Sequence, residues 1–119
     1  MRALYISYEG AVKEINIAGS ITSIKKELKA DRLMEYEIFN GIVAFADKDE
    51  VLNMDKRNAI ANDIYEQYFY LDYDGNHDPM KEGEPFVQIV GDAIFMSTDE
   101  FFGDPAGLSD EELNMLINA

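Results

Sequence analysis

The sequence predicts an α+β fold, with a small, mainly antiparallel or mixed sheet of about six strands, in the order ββαββαββα, and two or three helices. Three observations predict this class. Short segments rich in β-branched and aromatic residues occur in pairs separated by turn residues. Other segments repeat apolar residues at helical spacing behind a capping residue. The chain has 119 residues, 47% of them hydrophobic, so it can bury one core and we expect a single domain over residues 1–119.

The first half contains two predicted hairpins around a helix. The predicted strands are residues 3–8, 12–17, 33–39 and 42–46. Glu9-Gly10-Ala11 joins the first pair, and Asn40-Gly41 joins the second. Asn-Gly favours a type I′ turn, because both central residues of that turn need positive φ. Ser20 is suited to cap a helix over residues 21–29.

The second half contains two predicted helices and one predicted pair of strands. Asp55 is suited to cap a helix over residues 56–68, and a polar stretch over residues 72–85 follows it. The predicted strands are residues 86–90 and 93–97. After an irregular segment over residues 99–107, Ser109-Asp110-Glu111-Glu112 forms a capping box that opens a C-terminal helix.

The net charge of −14 is distributed unevenly along the chain. Residues 1–57 contain ten acids and nine bases, a net charge of −1, whereas residues 58–119 contain fourteen acids and one base, Lys81, a net charge of −13. Phosphate binding needs a basic face, so we expect no direct contact with nucleic acid or with an anionic membrane. The acidity serves either solubility or docking on a basic surface.

Several features predict a cytoplasmic protein, in a bacterium or in an infected host cell. The chain has no cysteine, which excludes disulfides, thiolate metal sites and thiol nucleophiles. Residues 1–10 have the pattern of a strand and lack the basic and apolar regions of a signal peptide. No apolar run approaches the roughly 20 residues of a membrane span.

Residue types that carry catalysis are scarce. His77 is the only histidine and lies in a polar stretch, so we expect no histidine-based catalysis. Gly103-Asp-Pro-Ala-Gly107 lacks the Lys-Ser/Thr that completes a phosphate-binding loop. A pair of catalytic carboxylates needs a set separation and unequal pKa values, which the sequence does not show. We therefore expect no enzyme, no catalytic residue and no cofactor.

Oxygen-bearing side chains alternate through Asp72, Asp74, Asn76 and Asp78, as they do in calcium-binding loops. The match fails where such a loop needs Gly, which is His77 here, and where it needs Glu, which is Gly83. We favour an acidic turn without a metal, and a weak divalent-ion site stays open as the alternative.

Aromatic residues are concentrated beside the acidic stretches. The first group runs from Tyr65 to Tyr73, and Phe101-Phe102 is the second. Helical spacing predicts that part of the first group packs in the core. Aromatic side chains among acids also serve as anchors at interfaces, so both interpretations stay open.

Several segments spread over most of the chain carry a resemblance to known proteins. They are Ala3-Leu4-Tyr5-Ile6, residues 13–17, Ser20 with its helix, residues 41–45, Arg57-Asn58 leading to Ala61 and Tyr65, residues 89–94 and residues 108–112. In these patterns the chain resembles a family of small domains of unknown function encoded by phages, plasmids and mobile elements. The resemblance implies an accessory protein, without catalytic residues, whose relatives often accompany anti-restriction genes.

Charge and resemblance together lead to the hypothesis of an acidic protein that inhibits a host nucleic-acid-binding defence enzyme. Such an enzyme holds DNA or RNA in a basic cleft, which carboxylates can occupy in place of phosphates. The expected partner-binding residues are acids with aromatic anchors: Asp72, Tyr73, Asp74, Asp78, Glu82, Glu84, Asp99, Glu100, Phe101 and Asp104.

Two other functions stay open. The first is a binding protein for a nucleotide or another small ligand, without catalytic activity. Its candidate contacts are the basic residues Lys25, Lys26, Lys29 and Arg32, or Lys56-Arg57. The second is a hydrolase that uses paired carboxylates.

Overall fold

The structure is a computed structural model that describes residues 1–72, 74–99 and 103–119. The described residues form six strands and three α-helices, which confirms the predicted α+β class and element order. The strands are β1 (Arg2–Ile6), β2 (Val12–Asn16), β3 (Leu33–Phe39), β4 (Ile42–Asp47), β5 (Ala93–Thr98) and β6 (Pro105–Ala106). The helices are α1 (Ile21–Leu28), α2 (Ala59–Phe69) and α3 (Asp110–Ile117). Short 3₁₀ helices cover Lys48–Glu50, Met54–Lys56 and Pro79–Lys81.

The sheet is open, and its strand pairings are antiparallel. The strand order is β2-β1-β5-β4-β3, and β6 pairs with the end of β5. Strands β2 and β3 therefore lie at the two edges. In the turn between β3 and β4, Asn40 has φ 45° and Gly41 has φ 83°, which confirms the predicted turn chemistry.

Helices cover both faces of the sheet. On one face, α2 and α3 pack through residues such as Ile64 and Leu116 against a buried cluster that includes Phe95. On the other face, α1 packs through Ile24 against a cluster that includes Phe45. Within the described residues, no helix is long and apolar enough to cross a membrane.

The predicted strand over residues 86–90 is wrong. This segment contains only an isolated bridge, between Val90 and Arg57, and the sixth strand is β6 instead. The physical reason is that side chains of α2 satisfy the backbone of the buried residue Ile89. Asn62 Oδ1 accepts from Ile89 N at 2.7 Å, and Asn62 Nδ2 donates to Ile89 O at 2.8 Å. With those groups satisfied, Ile89 is buried without a neighbouring strand.

The predicted start of the second helix is also wrong, because Asn58 rather than Asp55 caps α2. Asn58 Oδ1 accepts from Ala61 N at 3.1 Å. The same side chain is fully buried, and its Nδ2 donates to Ile6 O at 2.8 Å and to Gly91 O at 3.0 Å. These bonds tie α2 to two other parts of the chain, and the Asp55 region forms a 3₁₀ turn before it.

The other two helix starts agree with the sequence. Ser20 Oγ accepts from Ser23 N at 3.1 Å and caps α1. At α3, Ser109 and Glu112 form the predicted capping box: Glu112 N donates to Ser109 Oγ at 3.1 Å, and Ser109 N donates to Glu112 Oε1 at 2.9 Å.

Candidate functional site

A cleft of about 560 Å³ opens beside the hairpin of β3 and β4, and we name it the acidic cleft. Four acids line it: Glu35, Glu37, Asp72 and Asp78. Lys81 is the one base among its described lining residues. Thr98, the last residue of β5, and Gly103, in the connection to β6, also contribute to the lining. The acidic cleft thus joins strand β3 to both of the acidic segments that the sequence singled out.

The segment that follows α2 is held by the carboxylate of Asp72. Asp72 Oδ1 accepts from Asp74 N at 2.9 Å and from Asn76 N at 3.0 Å. Asp72 N donates to Asn76 O at 2.8 Å, and Gly75 has φ 83° within the turn. A side chain that binds the backbone two and four residues ahead shapes the chain into a turn. The geometry agrees with the interpretation of this stretch as an acidic turn.

Asp78 and Lys81 close the same segment against α2. Asp78 N donates to Tyr70 O at 2.7 Å, and Asp78 Oδ1 accepts from Met80 N at 2.9 Å, which caps the 3₁₀ helix Pro79–Lys81. Lys81 Nζ donates to Leu71 O at 3.3 Å and lies 5.9 Å from the centre of the Phe69 ring. The part of the chain that the structure describes contains no group of three or more acids or histidines placed to hold a metal ion.

The described ends of the connection between β5 and β6 lie at the acidic cleft, where Thr98 and Gly103 contribute to the lining. Asp99 N donates to Asp104 O at 2.8 Å, and Gly103 N donates to Asp99 O at 2.9 Å. Thr98 Oγ1 donates to Gly41 O at 2.9 Å and links this connection to the β3–β4 turn. The β3–β4 turn and the end of β5 therefore lie together at one end of the sheet.

A second cleft of about 410 Å³, the aromatic cleft, lies between β3 and α2. Its apolar lining consists of Met34, Tyr36, Tyr65, Phe69 and Val87. Glu35, Glu37 and Lys81 line this cleft as well as the acidic cleft, and Glu84 lines this one. The two clefts therefore meet at β3.

The aromatic residues of α2 are mainly part of the core. Tyr65 is buried and packs edge-to-face against Tyr36, with ring centres 5.7 Å apart, while Tyr68 stacks on Phe39 at 5.2 Å. Burial raises the pKa of Tyr36 and of Tyr65, so both phenols stay neutral. Tyr36 Oη donates to Gln88 O at 3.2 Å. The core interpretation is thus confirmed for Tyr65.

The predicted partner-binding residues lie in different places. Asp72 and Asp78 line the acidic cleft, and Glu84 lines the aromatic cleft. The exposed acids Asp74, Glu82, Asp99 and Asp104 lie outside the described linings of both clefts. Tyr73, Glu100 and Phe101 lie outside the described residues.

Sequence reasoning missed Glu35 and Glu37. They belong to the half of the chain whose net charge is close to zero, which concealed them. The signal that could have found them is the alternation in Leu33–Phe39, where two acids occupy every second position. Such a period places both side chains on one face of a strand.

Three of the six bases proposed for a small-ligand site have other side-chain partners. Arg32 forms an ion pair with Asp49. Lys56 Nζ lies 3.4 Å from Glu50 Oε2, and Arg57 Nε donates to Gln88 Oε1 at 2.6 Å. These contacts do not favour a nucleotide site at Lys56-Arg57, and in the first cluster they engage Arg32.

No protein-family model, curated protein or solved structure matches the chain. The resemblance to the phage and plasmid family therefore stays a prediction.

Proposed function

We propose that the protein is an acidic binding protein that docks on the basic cleft of a nucleic-acid-binding enzyme. In the setting implied by the family resemblance, that enzyme is a host defence enzyme and docking inhibits it by nucleic-acid mimicry. The observation that carries the proposal is the net charge of −13 in residues 58–119: Asp72 and Asp78 line a cleft with a single described base, and Asp74, Glu84 and Asp104 are exposed. The proposal assigns no catalytic role to the protein.

The charge of the exposed acids is available to a partner. Asp74, Glu84 and Asp104 are exposed, and none of them forms an ion pair with a described lysine or arginine. Their carboxylates are therefore hydrated in the free protein. Docking on a surface rich in Lys and Arg replaces that hydration with charge-assisted hydrogen bonds.

The physical model for inhibition is competition. Nucleic acid binds a basic cleft largely through its phosphates, and its affinity falls steeply with salt. A protein that presents carboxylates to the same lysines and arginines excludes the nucleic acid and has a similar salt dependence. The acidic half of the chain, with a net charge of −13, supplies this field.

Two charge-reversal variants test the proposal. One changes Asp74, Glu84 and Asp104 to lysine. The other, its control, changes the exposed acids Glu9, Glu27 and Asp55, which lie outside the acidic half. Both variants alter the net charge equally, so a difference between them reports position rather than total charge. An enzyme retained from bacterial lysate by the immobilised protein supplies the partner for affinity measurements at low and high salt.

We expect the first variant to lose about a hundredfold in affinity at low salt, the control to lose much less, and DNA or RNA to compete with the protein. Equal small losses that do not depend on salt would refute the proposal. The acidity would then be a matter of solubility.

A further inference from the structure

Among the residues that the structure describes, strand β3 has a neighbouring strand on one side only, because it lies at the edge of the sheet. Lys48 N donates to Arg32 O at 3.0 Å, so Arg32 directs its backbone groups toward β4. Backbone groups alternate in direction along an antiparallel strand. By this alternation, Met34 and Tyr36 also bond toward β4, whereas the N–H and C=O groups of Glu35 and Glu37 point away from the sheet.

The free side of β3 borders the two clefts, which the segment after α2 also lines. Within the described part of the chain, no loop forms a backbone hydrogen bond with Glu35 or Glu37. Both clefts include these two residues and Lys81, so the space beside the strand continues from one cleft into the other. An exposed edge of this kind is a template for a further strand.

The two sides of that groove differ in chemistry. Glu35 lies opposite Phe45 and Glu37 opposite Val43, which places both acids on the sheet face that α1 covers. The intervening residue Tyr36 lies on the face covered by α2, where the aromatic cleft opens. One side of the groove therefore presents the two acids, and the other presents aromatic residues together with Glu84.

We propose that the free edge of β3 binds an extended, basic segment of the partner as an added strand. The proposal rests on the proposed function and specifies how the basic partner is held. Because side chains alternate along a strand, the segment carries Lys or Arg at every second position, facing Glu35 and Glu37. Between them it carries apolar residues that enter the aromatic cleft. Backbone bonds supply affinity, and the alternation supplies specificity.

Charge argues against a second copy of the chain as the occupant. Two β3 edges that pair with one another bring Glu35 and Glu37 close to the same acids of the other copy. Like charges across a strand pair are destabilising, and each copy carries a net charge of −14. A basic strand reverses the sign of that interaction.

The test uses the full chain and a short synthetic peptide of alternating lysine and valine, acetylated and amidated at its ends. Two further peptides carry N-methyl groups on the backbone, one on the lysine amides and the other on the valine amides. They keep the same side chains and charge but lose different hydrogen-bond donors. Calorimetry measures the three affinities. Hydrogen exchange measures protection of the amides of Glu35 and Glu37.

We expect one methylated peptide to bind at least about tenfold more weakly than the parent and the other to keep most of its affinity. If methylation of the lysine amides weakens binding, the peptide is added as an antiparallel strand, because the lysines opposite Glu35 then donate the backbone hydrogen bonds. If methylation of the valine amides weakens binding, the peptide is added as a parallel strand. The parent peptide is expected to protect the Glu35 and Glu37 amides.

A matched pair of variants locates the binding site. Glu35→Gln with Glu37→Gln is expected to weaken peptide binding about tenfold, whereas Glu9→Gln with Glu27→Gln leaves it within about twofold. Equal binding of the three peptides, no binding of the parent peptide, or no effect of the β3 variant overturns the strand-addition proposal. A dimer that pairs through β3 overturns it as well. The charge-reversal experiment of the proposed function is independent of these outcomes, so the two failures are distinguishable.

Discussion

The carboxamide of Asn62 forms hydrogen bonds with both backbone polar groups of Ile89, at 2.7 and 2.8 Å. This is the pattern that a neighbouring strand would supply, so one side chain of α2 replaces a strand. Asn62 Nδ2 also donates to Asn58 O at 2.8 Å, which connects this contact to the helix cap. Both asparagines are fully buried. The pair thereby fixes residues 86–90 against α2, on the side where Val87 lines the aromatic cleft.

Replacement of Asn62 with alanine is expected to lower the free energy of unfolding by about 2–4 kcal/mol. The reason is that the buried N–H of Ile89 loses its acceptor, while the C=O of Ile89 keeps only the bond from Asn58 N at 3.1 Å. Chemical denaturation measures the change. Asn114→Ala on α3 is the control, because Asn114 is exposed, and it should stay within about 0.5 kcal/mol of the wild type. A loss for Asn62→Ala no larger than that of the control would contradict the bridging role.

The same contact explains which parts of the fold could be predicted. Asn40-Gly41 and the box from Ser109 to Glu112 are local signals, because the residues that interact are within four positions of one another. The partner of Ile89 is 27 positions away on a helix, and no local pattern reveals it. Asp55 is the cap that the sequence predicts, whereas the bonds of Asn58 to the distant acceptors Ile6 O and Gly91 O favour Asn58.

In the candidate site, too, some residues could be predicted from the sequence and others could not. The concentration of acids in the second half of the chain singled out Asp72 and Asp78, and the structure places both in the lining of the acidic cleft. Glu35 and Glu37 complete that lining, but their charges are offset in sequence by bases that lie elsewhere in the first half. Only the sheet order, which places β3 at an edge beside the segment after α2, brings the four acids together.

Asp72→Ala is expected to loosen the acidic turn without unfolding the sheet. The substitution removes the acceptor for the amides of Asp74 and Asn76, so hydrogen exchange at both should accelerate about tenfold. Asp74→Ala is the matched control, because the Asp74 carboxylate is exposed. If the two variants exchange alike at Asn76, the Asp72 carboxylate does not organise the turn.

Calcium at millimolar concentration is expected to change the Tm by less than about 1 °C. Asp72 Oδ1 and Asp78 Oδ1 already accept hydrogen bonds from backbone amides. The described residues contain no group of three side chains placed to bind a metal ion. Thermal unfolding with calcium and with a chelator measures the difference. A rise of several degrees that Asp72→Ala with Asp74→Ala abolishes would establish a divalent-ion site.

Tyr5 makes stability sensitive to high pH. Its phenol is partly buried and donates to Asp92 Oδ2 at 2.5 Å. Burial, together with that hydrogen bond, raises the pKa of Tyr5 well above its ordinary value of about 10. The folded state thus keeps a proton that the unfolded state loses near pH 10. The stabilisation is fully present below that pH and is lost as the pH rises toward the pKa of the folded state.

Denaturation between pH 8 and about 11.5 measures this dependence. Tyr5→Phe is expected to be less stable at neutral pH, because it removes the bond to Asp92, and to lose stability more gradually above pH 10. Some dependence remains, since burial also raises the pKa of Tyr36 and Tyr65. An unchanged slope above pH 10 in Tyr5→Phe would contradict the assignment.

Reversal of the exposed acids Asp74, Glu84 and Asp104 to lysine is expected to leave the free energy of unfolding equal or raise it by up to about 1 kcal/mol at low salt. Exposed carboxylates contribute little to folding, whereas the surplus of negative charge in residues 58–119 repels itself. The effect should fade as added salt screens that repulsion. Denaturation at low and high salt measures this effect, alongside the partner affinity of the same variant.

A large loss of stability would mean that these carboxylates stabilise the fold, and a loss of affinity could then no longer be assigned to the interface. Unchanged stability with lost affinity separates the binding role of these carboxylates from folding.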